Sequence, residues 1–203
     1  VLLLVAMLAG SPAFAQNTRQ MAEYAGNIHL AYIKTGNSTV DITAQKGLEA
    51  LAEVLRRRTS VEPSGVVALD PETSVLSFFP LIYWPVTQEQ AALSDKALRN
   101  IQYYIDHGGT ILLDTRDHLS SARNPYGQTG GRNAEKLRTL IGSLNIPPLI
   151  PIKEDHVLTK SFYLMDNFPG RYEGGTIWVE EQSTSGRDGV SSIIVGSNDG
   201  ASA

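Results

Sequence analysis

Thr110-Ile111-Leu112-Leu113-Asp114 is a short apolar run that follows the glycine pair Gly108-Gly109 and ends on an acid. Alternating apolar and polar side chains would mark a strand with one wet face. An unbroken run of this length marks a strand covered on both faces, as in parallel sheets. Runs of the same kind recur upstream. Ile28-His29-Leu30-Ala31-Tyr32-Ile33 stops at Thr35-Gly36-Asn37, and Val66-Val67-Ala68-Leu69 stops at Asp70. Leu76 to Trp84 ends in Pro80-Leu81-Ile82-Tyr83-Trp84 before Pro85.

Helical patterns separate these runs. Ala44, Leu48, Leu51 and Leu55 recur at helical spacing behind Asp41, a suitable N-cap, and Arg56-Arg57-Arg58 complements the dipole at the far end. Ser94 caps a second helix with Leu98, Ile101 and Ile105 inward, stopped at His107-Gly108-Gly109. Leu137, Leu140, Ile141 and Leu144 form a third set, beyond a polar, glycine-rich loop from Thr115 to Arg132. Strands alternating with helices predict an α/β fold: three layers, a mostly parallel sheet, helices on both faces. Shorter β signals follow at His156–Leu158, Phe162–Leu164, Thr176–Glu180 and Ser191–Val195. Without repeats or a clear linker, residues 28–203 read as one domain.

Composition narrows the function classes. With 17 Lys+Arg against 21 Asp+Glu the formal net charge is −4, which argues against a nucleic-acid partner. The absence of cysteine from the 203 residues excludes disulfides, thiolate metal sites and a thiol nucleophile. No phosphate-binding glycine loop, H-E-x-x-H or G-x-S-x-G is present; Gly127-Gln128-Thr129-Gly130-Gly131 has the wrong spacing for a dinucleotide fingerprint. At the N-terminus, Val1 to Leu8 is apolar and Ala13-Phe14-Ala15 resembles a signal-peptidase site. Residues 1–15 are therefore expected to be the end of an export signal or of a transmembrane helix, and 16–27 a polar spacer. Gln16 onward then lies outside the cytoplasm, in the periplasm or anchored to the inner membrane facing it.

Four stretches together bring a family to view: Leu30-Ala31-Tyr32-Ile33-Lys34-Thr35-Gly36, Phe79 to Pro85, Gly108 to Asp117, and Asp155 to Leu164. In this order they resemble a bacterial family of domains of unknown function, number 4159, over about residues 28–199. The resemblance implies a flavodoxin-like, class I glutamine-amidotransferase-like fold. It also implies a membrane-protein context, because such domains often lie C-terminal to a region resembling aerotolerance regulators. It implies no reaction. The family's C-terminal Asn-Asp is present as Asn198-Asp199, which makes Asp199 a ligand-binding candidate. The aromatic stretch beyond it is only partly present, and truncation at the C-terminus is expected.

Ligands of open α/β sheets bind beyond the carboxyl ends of the strands. Lys34 and Thr35, Trp84, and Asp114 to His118 are expected there. Arg116 can clamp a carboxylate or phosphate, or pair with Asp117. Asp117 and His118 can act as base and acid or, with His156, as metal ligands. Asp114 can instead cap the segment after it, and each histidine can be an exposed loop residue. Tyr83-Trp84, Phe162-Tyr163 and Trp178 suit core packing better than stacking on a ligand. The chain is thus expected to be an extracytoplasmic, membrane-associated module that binds a membrane-protein partner or a small ligand without catalysis and without a cofactor. The alternative is a hydrolase, metal-assisted, at the carboxyl ends of the strands.

Overall fold

A computed structural model describes residues 12–118, 131–152, 156–160, 168, 170–172, 174–181 and 191–203. Helix α1 (Pro12–Gly26) leads into β1 (His29–Ile33), α2 (Ser38–Arg58), β2 (Gly65–Leu69), a 3-10 turn (Leu76–Phe78), β3 (Leu81–Pro85), α3 (Asp95–Asp106) and β4 (Thr110–Asp114). Then come α4 (Arg132–Ile141), β5 (Leu149–Pro151), the single turn α5 (Val157–Lys160), β6 (Trp178–Glu180), β7 (Ile193–Gly196) and a 3-10 turn at Gly200–Ser202. The sheet order among the described residues is β2-β1-β3-β4-β7-β6-β5. The first five of these strands are mutually parallel, and β6 and β5 join antiparallel at one edge.

Period-two alternation sorts the strand residues into two cores. Ala31, Ile33, Ile82, Trp84, Ile111 and Leu113 face α3 and α4, where Ile101, Tyr104, Ile105, Leu137 and Leu140 meet them. Leu30, Tyr32 and Tyr83 face α2 through Ala44, Leu48 and Ala52. This is the three-layer, mostly parallel α/β architecture that the apolar runs predict.

Local details differ from expectation. The segment expected as a spacer is helical, and its Tyr24 ring packs 5.3 Å from Phe79 and 5.1 Å from His29. Asn37, not Asp41, caps α2, accepting from Val40 N; Asp41 sits one turn in and accepts from Thr35. Leu51 is exposed while Ala52 is buried, because three-residue steps drift around the helix faster than four-residue ones. Leu76–Phe78 is a 3-10 turn, so the third strand begins only at Leu81. His156–Leu158 opens α5 instead of a strand. The Phe162–Leu164 signal lies outside the described residues, as do Val1–Ser11 and most of the loop after His118. No described helix is long and apolar enough to cross a membrane.

One glycine inside α2 has a packing reason. A Cβ at Gly47 would collide with the backbone of Ala201, standing 2.7 Å from its Cα. Helix propensity alone predicts that Gly47→Ala gains about 1 kcal/mol. The close approach of the Gly200–Ser202 turn reverses the sign, and urea unfolding should show a loss of about 1–3 kcal/mol.

Candidate functional site

Asp114 ends β4 and is only 4% exposed, on the α2 side of the sheet. Its two oxygens accept four hydrogen bonds. Oδ1 takes Arg116 N at 3.0 Å and Asp199 N at 3.3 Å; Oδ2 takes Tyr83 Oη at 3.0 Å and Gly200 N at 2.7 Å. Burial, then the Asp114 charge, pushes the Tyr83 phenol well above its usual range, so it stays a donor. The carboxylate thereby joins β3, β4 and the segment after β7.

Two non-glycine residues adopt the left-handed conformation beside it, Arg116 at φ 58° and Asp199 at φ 55°. Each costs on the order of 1 kcal/mol in an L-residue, and each offers Asp114 its backbone N–H. Arg116 Nε donates to Asp199 Oδ1 at 3.0 Å, so its ion pair is with Asp199 and not with Asp117. Asp117 Oδ2 accepts from Ala134 N at 2.9 Å in the first turn of α4, and a Cβ on Gly131 would collide with the same carboxylate. Asn133 Nδ2 reinforces this junction by donating to the Thr115 carbonyl at 2.8 Å.

His118 stacks on Tyr172, with centroids 5.6 Å apart and planes 6° from parallel. Its Nδ1 borders Gly175, where an added Cβ would also strike Asn198 Oδ1. The buried Asn198 donates through Nδ2 to the Phe168 carbonyl, and its Oδ1 has no hydrogen-bond partner. His156 is bonded within its own turn: Nδ1 accepts from Leu158 N and its carbonyl from Thr159, while Nε2 is buried without a hydrogen bond. Asp114, Arg116 and Asp199 are therefore brought into one hydrogen-bonded group. Asp117 and His118 flank it, and no bond joins His156 to it. Among the described residues no three His, Asp or Glu side chains gather in a way that could hold a metal.

Trp84 lies within β3, which runs one residue further than expected, to Pro85, and it faces α3 and α4, across the sheet from Asp114. There it lines a cavity of about 280 Å³ shared by Lys34 and Thr35 after β1, Asp70 after β2, Gln90 in the β3–α3 loop and Ser94 at the start of α3. The cavity occupies the crevice between β1 and β3. From there the connections diverge, β1 passing through α2 to β2 and β3 through α3 to β4. Sequence reading placed Lys34, Thr35 and Trp84 near such a crevice but missed Asp70, Gln90 and Ser94. Asp70 and Ser94 read as strand-end and cap residues, and Gln90 gives no signal without the fold.

Asp114→Ala should remove the acceptor from four donors and cost at least about 3 kcal/mol in urea unfolding. Asp114→Asn, which keeps one acceptor oxygen, should cost less. Asp117 supplies a pH test. Burial raises its carboxyl above the ordinary range, outweighing the Ala134 and Asn133 amides and the Arg116 charge, which pull it down. A raised native pKa contributes stability that is complete below the unfolded value, about 4, and is lost as pH rises through the native value. Asp117→Asn keeps an acceptor for Ala134 N and cannot ionise. Urea unfolding from pH 3 upward, across roughly the carboxylate range, should show the variant gaining on the natural chain as pH rises.

A search of curated proteins finds no match. A family model matches residues 29–203, from the first residue of β1 through the Asp114-binding segment and the closing 3-10 turn. The chain thus belongs to the family described as "Domain of unknown function (DUF4159)".

Proposed function

We propose that this chain is a non-catalytic binding domain of an extracytoplasmic, membrane-associated protein, taking a small ligand or a partner at the carboxyl ends of its parallel strands. The saturation of Asp114 carries the non-catalytic part of this reading. A general base needs a free lone pair within reach of a substrate proton, and four internal donors occupy the most central acid at this end of the sheet. Arg116 and Asp199 neutralise each other, and Asp117 caps a helix. The β1/β3 cavity remains open for a ligand. Export and membrane association rest on the apolar Val1–Leu8 run with Ala13-Phe14-Ala15, and on the membrane context that the family resemblance implies.

One observation favours a metal-assisted hydrolase as a second reading. The His118 ring makes no hydrogen bond with a described residue and stands at the same end of the sheet as Asp114 and Asp117. Thermal unfolding against a metabolite library, run beside turnover assays on ester, phosphoester and glycoside substrates with and without added zinc or manganese, separates the two. Binding without turnover is expected. Metal-dependent hydrolysis that disappears when His118 and His156 are both changed to Ala would replace the binding reading with the hydrolase.

A further inference from the structure

β2 forms one edge of the sheet and, among the described residues, pairs only with β1. Lys34 N donates to the Leu69 carbonyl at 3.0 Å, so Gly65, Val67 and Leu69 turn their backbone groups toward β1. By alternation the N–H and C=O of Val66 and Ala68 point out of the sheet, and no described residue bonds to them. Ala68 is exposed.

An open edge is a template for another strand, and proteins blunt it with charge, proline, a bulge or brevity. The opposite edge follows this rule: β5 is three residues long and ends on Pro151. β2 has none of these devices. Gly65-Val66-Val67-Ala68-Leu69 is uncharged and free of proline, and its register with β1 runs one to one without a bulge. The exposed Met21 and Val75 stand beside it, around a cavity of about 210 Å³ that Val67 and Ala68 also line.

The two ends of β2 differ in charge. Before the strand, Arg56 donates through Nε and Nη2 to the Pro63 carbonyl, each at 3.2 Å, and its side chain remains 42% exposed. Arg56, Arg57 and Arg58 outnumber Glu53 and Glu62 at this end. After the strand come Asp70 and Glu72, neither in an ion pair with a described residue.

We infer that β2 is the interface for a second copy of this chain, pairing antiparallel with the β2 of the other copy about a two-fold axis at Val67. Val66 of each copy then exchanges both backbone hydrogen bonds with Ala68 of the other, which satisfies every outward group of the strand. The same register sets Asp70 of one copy opposite Ser64 of the other, next to the carbonyl that holds Arg56. The acidic end of each strand thus meets the basic end of its mate, twice over. Met21 and Val75 are covered on the face they share. The reversal points the two carboxyl-end faces away from each other, so both β1/β3 cavities stay open. This interface stands apart from the ligand-binding reading.

Sedimentation of the full chain from about 1 to about 500 μM should show a reversible dimer of twice the 22.0 kDa chain mass. Ala68→Pro removes only an outward N–H, leaves the β1 ladder whole, and should weaken the dimer at least about tenfold. Ala68→Lys, which charges the edge without constraining the backbone, should do the same. Neither should alter the circular dichroism of the dilute monomer. Because the natural chain has no cysteine, oxidation can read the register. Val67→Cys puts two thiols on the axis at a non-hydrogen-bonded pair, with Cα atoms about 4.5 Å apart, and should give a disulfide-linked dimer. Ala68→Cys, whose two copies stand out of register with each other, should not. A chain that stays monomeric throughout overturns the inference. So does a dimer that survives both Ala68→Pro and Ala68→Lys and is not trapped by Val67→Cys. Neither result bears on ligand binding, which the metabolite library tests.

Discussion

The Asp114 carboxylate is held where three chain segments far apart in sequence must meet. β3 contributes the Tyr83 hydroxyl, the turn after β4 contributes Arg116 N, and the chain after β7 contributes Asp199 N and Gly200 N. A buried carboxylate is tolerated only when its lone pairs are filled. That requirement fixes the left-handed backbone at both Arg116 and Asp199, which turns their amides toward it. The same positioning brings the Arg116 guanidinium onto the Asp199 carboxylate and closes the group electrostatically. The parallel pairing of β4 with β7 is thereby locked at its carboxyl end as well as along its ladder.

Close backbone approach is the second constraint, and it is met by missing side chains. Gly47 lets the terminal 3-10 turn settle onto α2, so Ala201 joins the core around Tyr83 and Leu48. Gly109 gives room to the Tyr104 ring, whose hydroxyl donates to the Phe79 and Thr110 carbonyls and ties α3 to the starts of β3 and β4. Gly175 lies against Asn198 and His118 in the same way. Glycine here lets the chain at 170–175 approach Asn198 and the His118 ring closely. On the other face, the α3 and α4 side, a ligand-sized space remains.

Much of the fold was legible because covered parallel strands leave unbroken apolar runs, and amphipathic helices repeat near 3.6 residues. Thr110–Asp114 and the inward positions Ile101, Ile105, Leu137 and Leu140 come through directly. The C-terminal third was less legible. The signals at Thr176–Glu180 and Ser191–Val195 hold β6 and β7, whereas the three-residue β5, Leu149–Pro151, has too short a pattern to read and depends on a partner distant in sequence. Asn37 and Asp41 both suit the α2 cap by residue type, and only backbone geometry selects Asn37.

By itself, the sequence determined the layer architecture, the mild negative charge and the exclusion of thiol chemistry, since these follow from composition and local periodicity. The tertiary structure decided what each polar residue does. Tyr83 and Trp84 are adjacent in sequence, yet strand alternation sends one to the Asp114 carboxylate and the other to the β1/β3 cavity. Arg116 passes over its neighbour Asp117 for an acid eighty-three positions away. Hydrogen bonds and ion pairs act over a few ångströms of space, and only strand order and pleat bring residues separated in sequence within that distance.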